Sequence, residues 1–285
     1  MSIASTKEVV IRPNSSWYHF DYAGLMAYRD LLWLMVWRDF VSKYKQTILG
    51  PIWFFANPII TTLTFTLVFN KVMGVSTDGT PPVLFYMSGM LGWNYFSGVL
   101  GGTSNSLAGN THLFAKVYFP RLIPPLATTI SSIFSVVLQL FTFIGFFYYF
   151  KYYDTAMKLP APSILWLASL GILLHVAILA LGSGLILSAL TAKYRDLQQV
   201  QGYIVGLLMY ATPVIYPLSQ IPVKYRWIAE LNPMTAVVEA TRFVFLGNGT
   251  VSTSQYAMSL TISIGLLFLG VFSYQRAART FVDTV

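Results

Sequence analysis

The chain has 285 residues, of which 55% are hydrophobic and only 10% charged, with a mean hydropathy of +0.62. Charges this sparse cannot clothe a water-soluble globule of that size, so lipid must cover much of the surface. The net charge of +8 includes no basic run long enough to track phosphates, which argues against nucleic acid as a partner, and the absence of cysteine removes disulfides, thiolate catalysis and Cys metal sites together.

Residues 1–24 form a polar, mixed tail in which Lys7, Glu8, Arg12 and Asp21 leave no apolar stretch for a signal peptide, so the chain is expected to start inside. Residues 25–46 have helix-forming character, with Arg29-Asp30 and Arg38-Asp39 bracketing the apolar run Leu31 to Trp37. Such a run rises only ~10 Å, far short of a hydrocarbon core of ~30 Å, and so predicts an amphipathic helix along the cytoplasmic surface. Its apolar positions do not form one stripe, which points to packing against protein as well as lipid; a simple lipid anchor is the alternative. Arg38, Asp39, Lys43, Tyr44 and Lys45 are the candidate residues there. The basic ones suit either anionic headgroups or a lipid diphosphate.

Six charge-free apolar stretches follow, at about 48–69, 83–100, 126–150, 164–190, 197–217 and 256–274, each near the length that crosses a bilayer. The fifth carries Pro213 and Pro217 and does not read as one straight helix. With six crossings both termini, including the tail 277–285, lie in the cytoplasm. Of the 18 basic residues only Lys71, Lys151, Lys158, Lys224, Arg226 and Arg242 then fall outside, in keeping with the positive-inside bias. The fold class expected is an all-α integral membrane protein, its six-helix domain spanning 47–276.

Two connections stand out. Residues 101–121, GGTSNSLAGNTHLFAKVYFPR, pass from small and polar to basic and aromatic, and suit a short cytoplasmic helix. On the outer side Asn232-Pro233 is a helix start, because Asn can cap free N–H groups and Pro at the first position forfeits no bond. Met234, Val237, Val238, Thr241, Val244 and Phe245 then recur at helical spacing, with Glu239 and Arg242 among the other positions, and Gly247 ends the helix. It would be ~21 Å long, too short to span. Re-entrant or interfacial helices over about 222–247 are expected, after the proline-broken TPVIYPLSQIP. Irregular backbone at that depth must face protein or a watery cavity.

The chemistry that is missing narrows the function. No carboxylate or basic residue lies inside the apolar stretches, which argues against a secondary transporter, and no phosphate-binding loop is present, so any ATP must be hydrolysed by another chain. An intramembrane enzyme acting on a lipid-linked glycan is the alternative; it needs clustered carboxylates or histidines, whereas His19, His112 and His175 lie far apart. His175, inside the fourth stretch, either relays protons or bonds one helix to another.

Several strings resemble the membrane subunits of type-two ABC exporters that move O-antigen and related cell-surface polysaccharides: WRDFVSKYKQTILGPIWFFANP from Trp37, VYFPRLIPPL from Val117, KYRDLQQV from Lys193, TPVIYPLSQIP, and LNPMTAVVEATRFVFLG. The resemblance implies a homodimer joined to two copies of a separate ABC ATPase, which binds the ATP and Mg, with no cofactor in this chain. It implies export of an undecaprenyl-diphosphate-linked glycan across a bacterial cytoplasmic (inner) membrane, O-antigen first, with teichoic acid or capsule as the alternatives. It places the ATPase contact at Asn110, His112, Phe114 and Lys116, and an outer closure beside Asn232-Pro233. The proline-broken segment and the short helix after it make Pro213, Tyr216, Asn232, Pro233, Glu239 and Arg242 the candidate gate residues, and Glu239 and Arg242, three apart, could link to each other or across the dimer.

Overall fold

The computed structural model describes residues 22–45, 47–114, 116–153, 159–194 and 196–282, and every regular element among them is helical. The expected tail up to residue 21, the loop residues Lys158 and Arg195, and residues 283–285 lie outside the described set.

The predicted surface helix is two helices, α1 (Tyr22–Ala27) and α2 (Arg29–Ser42), hinged at Tyr28. Met35 and Val36 of α2 are buried with Phe119, Ile123 and Ala127, while Trp33, Leu34 and Trp37 are exposed. Two apolar faces explain why no single stripe is visible: one packs on protein and the other is left for lipid. A 3₁₀ turn at Gly50–Ile52 leads into α3 (Trp53–Phe65), which relaxes into a π turn at Thr66–Val72. Then follow α4 (Pro82–Ser104), the short α5 (Ser106–Gly109) and α6 (Thr111–Phe114), and α7 (Ile123–Tyr153). Helix α8 (Ala168–Lys193), entered by a 3₁₀ turn, and α9 (Leu197–Ala211) precede α10 (Val223–Leu231), α11 (Pro233–Leu246) and α12 (Thr253–Val282).

Among the described residues four helical runs are long and apolar enough to cross a membrane: Gly50–Val72, Ile123–Tyr153, Ile164–Lys193 and Thr253–Arg279. The other two predicted crossings differ for physical reasons. Helix α4 is long enough, but Ser, Gly, Asn and Thr dilute its hydropathy, and most of it is buried against α3, α7, α8, α9 and α11. It is the central post of the bundle. Helix α9 stops at Ala211, short of the predicted 217, because Thr212 is extended ahead of Pro213. At the C-terminus the helix does not stop at the expected tail boundary: α12 runs on to Val282, with Tyr274 and Ala278 buried against Leu107 and Leu185.

Helices α8 and α12 approach most closely at Gly182 and Gly270. A Cβ on Gly182 would fall 2.6 Å from the Leu267 backbone nitrogen, and one on Gly270 would collide with the Gly182 carbonyl oxygen. Small residues let backbones meet where lipid supplies no hydrophobic drive between helices. The pair is fastened further up by His175, whose Nε2 lies 3.0 Å from Ser263 Oγ and 3.2 Å from Ser259 Oγ. Of the two roles open to His175, the structure shows a helix-to-helix bond, worth about 0.6 kcal/mol in typical membrane cases.

Candidate functional site

The candidate outer-gate residues come together around α11. Asn232 caps the helix, its Oδ1 accepting from the Met234 N–H at 3.0 Å, and its Nδ2 donates to Thr212 Oγ1 at 2.8 Å. Thr212 ends α9, so one amide joins the end of α9 to the start of α11. Pro233 occupies the first turn, and Gly247 closes the helix at φ 75°, the left-handed conformation glycine adopts without steric cost. Pro213 is buried, and Tyr216, half-buried, returns its hydroxyl to the Tyr210 carbonyl at 2.8 Å.

Of the two links open to Glu239 and Arg242, to each other or across the dimer, the structure shows the first. Both are buried, at 3% and 2% exposure, in a helix packed against α4, α8 and α12. They pair with each other: Arg242 Nη1 donates to Glu239 Oε1 at 3.0 Å, and Arg242 Nη2 donates to the Val214 carbonyl at 2.8 Å. The guanidinium carbon lies 3.7 Å from the centre of the Phe85 ring on α4. Glu239 Oε2 accepts from the backbone N–H of Thr250 at 3.0 Å and from its hydroxyl at 3.1 Å. A buried ion pair is tolerated when its remaining valences are met in this way. Arg242 Nε alone has no hydrogen-bond partner among the described residues.

The pair thus ties α11 to the proline-broken loop, to α4 and to the segment after the helix. A second set of bonds continues outward: Ser219 Oγ donates to Asp78 Oδ2 at 2.8 Å and Asn248 Nδ2 to Thr80 Oγ1 at 2.7 Å, drawing in the loop after the first crossing. A polar cavity of about 10 Å³, room for a single water, lies among these groups. Phe85, Val214, Thr250, Asp78 and Asn248 were not singled out from sequence. One signal was available: in Gly247-Asn248-Gly249 the second glycine is forced, since a Cβ there would collide with the Glu239 carbonyl oxygen.

The candidates for the ATPase contact separate into two kinds. Asn110 is structural, its carbonyl accepting from the N–H groups of Leu113 and Phe114 and its Nδ2 donating to Ser106 O at 2.9 Å. Phe114 packs on Phe119, ring centres 5.3 Å apart, and bridges the core under α2 to the core under α12. His112 and Lys116 are exposed instead, beside exposed Val117 and Tyr118. At the end of α2, Arg38 binds its neighbour Asp39 at 2.8 Å, Lys43 Nζ donates to Ser135 Oγ on α7 at 3.3 Å, Tyr44 packs edge-on to Phe40 and Phe54, and Lys45 is exposed.

The family model described as ABC-2 type transporter matches residues 30–246. The chain is similar to the O-antigen export system permease protein RfbA of Myxococcus xanthus, 26% identical over 263 residues, covering 92% of this chain and 97% of the relative. It is similar to the protein of the same name from Klebsiella pneumoniae at 25% over 255 residues, covering 89% and 94%. The capsule polysaccharide export inner-membrane protein CtrC of Neisseria meningitidis is 20% identical over 264 residues, covering 90% and 94%.

Proposed function

Since the chain belongs to the ABC-2 type transporter family, we propose that it is the permease subunit of an exporter that carries O-antigen out of the cytoplasm across the bacterial inner membrane. The observation that carries this reading is the match to O-antigen permeases over about nine-tenths of both chains. Capsule export is the second reading, on the lower identity to the capsule relative. In this reading the substrate is an undecaprenyl-diphosphate-linked glycan. The chain crosses the membrane six times with both termini inside; α4 serves as a crossing shielded from lipid by its neighbours, and α9 crosses with the broken segment after it. Two copies form the channel, and two copies of a separate ATPase supply the motor, binding the ATP and Mg²⁺.

The exposure of α9 supports the dimer: none of its residues is buried, and Tyr203, Leu207 and Tyr210 face outward. The test is deletion of this chain in its own bacterium, followed by analysis of lipid-linked and surface glycan. Loss of surface O-antigen with retention of its lipid-linked precursor inside is expected. Normal surface O-antigen would discard the reading.

The exposed loop residues fit a docking surface for the ATPase. Lys116→Glu reverses a charge that no packing depends on, so it is expected to lower export at least tenfold with the protein still inserted and abundant. Phe114→Ala removes a packed ring and is expected to lower the amount of folded protein instead. Surface glycan measured against membrane protein level separates the two, and normal export by Lys116→Glu would leave the loop without a coupling role.

The bonded knot around α11 fits an outer gate that closes between cycles. Cysteine at Tyr216 is expected to react faster with an impermeant outer-side thiol reagent during ATP turnover with substrate than at rest. Equal rates would favour a static plug.

A further inference from the structure

Between the end of α4 at Ser104 and the start of α7 at Ile123 the chain makes an excursion through α5, α6 and the exposed residues Lys116, Val117 and Tyr118. One phenol stands at its neck. Tyr274 of α12, fully buried, donates its hydroxyl to the Arg121 carbonyl at 2.8 Å and accepts from Ser106 Oγ at 3.3 Å. Ser106 opens the excursion and Arg121 ends it, so a single side chain holds both ends. The bonds around it run one way, because each hydroxyl has one proton to give. Tyr274 gives its proton to a carbonyl, so Ser106 must donate to Tyr274. Ser106 then has none left for Ser188 Oγ, 3.1 Å away, so Ser188 donates to Ser106 and accepts in turn from the Leu107 N–H at 3.4 Å. A directed chain therefore runs from the Leu107 N–H through Ser188, Ser106 and Tyr274 to the Arg121 carbonyl, joining α5, α8 and α12. All three hydroxyl-bearing residues are buried, where bonds in series strengthen one another and a lost one is costly.

We infer that Tyr274 is a positioning residue: its hydroxyl clasps the neck of residues 106–121 and makes that segment move as one body with α12. The use of this clasp in transport rests on the ATPase docking at the exposed middle of the segment, as proposed above. The backbone is jointed at both ends of the excursion, since α4 is interrupted at Asn105 and α7 does not start until Ile123. The packed rings of Phe114 and Phe119 also carry load, but apolar contact is non-directional and lets the segment shift, whereas the bonds at the neck fix its place. Tyr274 meets both ends at one oxygen atom. Further along the same helix Ser259 and Ser263 bond to His175 of α8, and Ser259 Oγ donates to the Pro233 carbonyl at the start of α11. The clasp thus joins the docking segment to a helix that also holds the first turn of α11.

Tyr274→Phe is the test, because the ring that packs with Leu107, Leu185 and Ala278 is kept and the hydroxyl alone is lost. Hydrogen–deuterium exchange on the full chain in nanodiscs is expected to rise about fivefold through residues 106–121, what one hydrogen bond is worth in a local opening equilibrium, with α4 unchanged. In cells, surface glycan per inserted chain is expected to fall about fivefold or more, while the ATPase still co-purifies and hydrolyses ATP. Tyr95→Phe is the control: that buried hydroxyl donates to the Thr129 carbonyl at 3.1 Å, away from the neck, and its loss should leave exchange over 106–121 and glycan per chain unchanged. Should Tyr274→Phe fail to accumulate, Ser106→Ala cuts the same chain at its middle and carries both measurements. Unchanged exchange over 106–121 would overturn the clasp. Raised exchange with undiminished glycan per chain would overturn its part in coupling, as would a fall in inserted protein alone or loss of the ATPase from the complex. The exchange result stands whatever the deletion phenotype shows, and the export reading falls only on that phenotype.

Discussion

Glu239→Gln is expected to destabilise the folded protein by roughly 3–5 kcal/mol, the cost of leaving a buried charge without its partner. Arg242 is 2% exposed, and the groups that hold it apart from Glu239 are a carbonyl dipole and a ring face. Neither carries the opposite charge. Arg242→Met should cost a similar amount, because Glu239 would keep its two bonds from Thr250 but lose its cation. The double variant Glu239→Gln/Arg242→Met buries no net charge and should recover part of the loss, since groups in one network couple by about 0.5–3 kcal/mol. Thermal unfolding of the four proteins in nanodiscs measures the cycle. Additive losses would mean that the pair acts as two separate residues and that α11 is held by its apolar face alone. The coupled result would mean that the pair, its carbonyl partner on the proline-broken loop and the Phe85 ring act as one contact.

Much of this architecture was legible because membranes restrict the choices. Charge-free stretches near 20 residues announce helices, and Asn232-Pro233 with Gly247 bounds α11 at the residues where the structure bounds it. The illegible parts have separate causes. Periodicity reports which face of a helix is apolar, and a helix wrapped on every side has no polar face to report. Helix α11, packed against three other helices, comes near that case: Glu239 and Arg242, outside the apolar spacing, are buried, while Phe243 is 49% exposed. Their spacing of three allows the pair they form with each other, but no local spacing connects them to their further partners Val214, Phe85 and Thr250. Helix α12 failed differently. Arg276 and Arg279 look like the end of a span, but a helix need not stop where a membrane does, and burial of Tyr274 and Ala278 against α5 and α8 carries it onward. At α2 the two apolar faces blurred the pattern, although that blur itself pointed to a partner in protein.

The close crossing of α8 and α12 gives the other large effect: Gly182→Val is expected to lower the yield of folded, inserted protein severely. The obstacle is backbone, since a Cβ there would stand 2.6 Å from Leu267 N and 2.7 Å from Leu267 Cα. No rotamer change relieves such a clash, so α8 and α12 must separate. Overpacking of this kind costs typically 1–3 kcal/mol by itself. Here separation also strains everything fastened across the two helices: Ser259 and Ser263 of α12 bond to His175 of α8, and Ser259 Oγ donates to the Pro233 carbonyl at 2.8 Å. Displacing α12 therefore pulls on the first turn of α11, which links a packing defect at the glycine crossing to a helix more than one turn away. Gly171→Ala on the same helix, where a Cβ meets nothing within 4 Å, should be neutral. Protein that does fold with Gly270→Ala, the milder change at the same crossing, should show faster outer-side labelling of a Tyr216 cysteine at rest. Normal yield from Gly182→Val would mean that the two helices are free to slide apart, and that the His175 bonds, not the glycine contact, set their register.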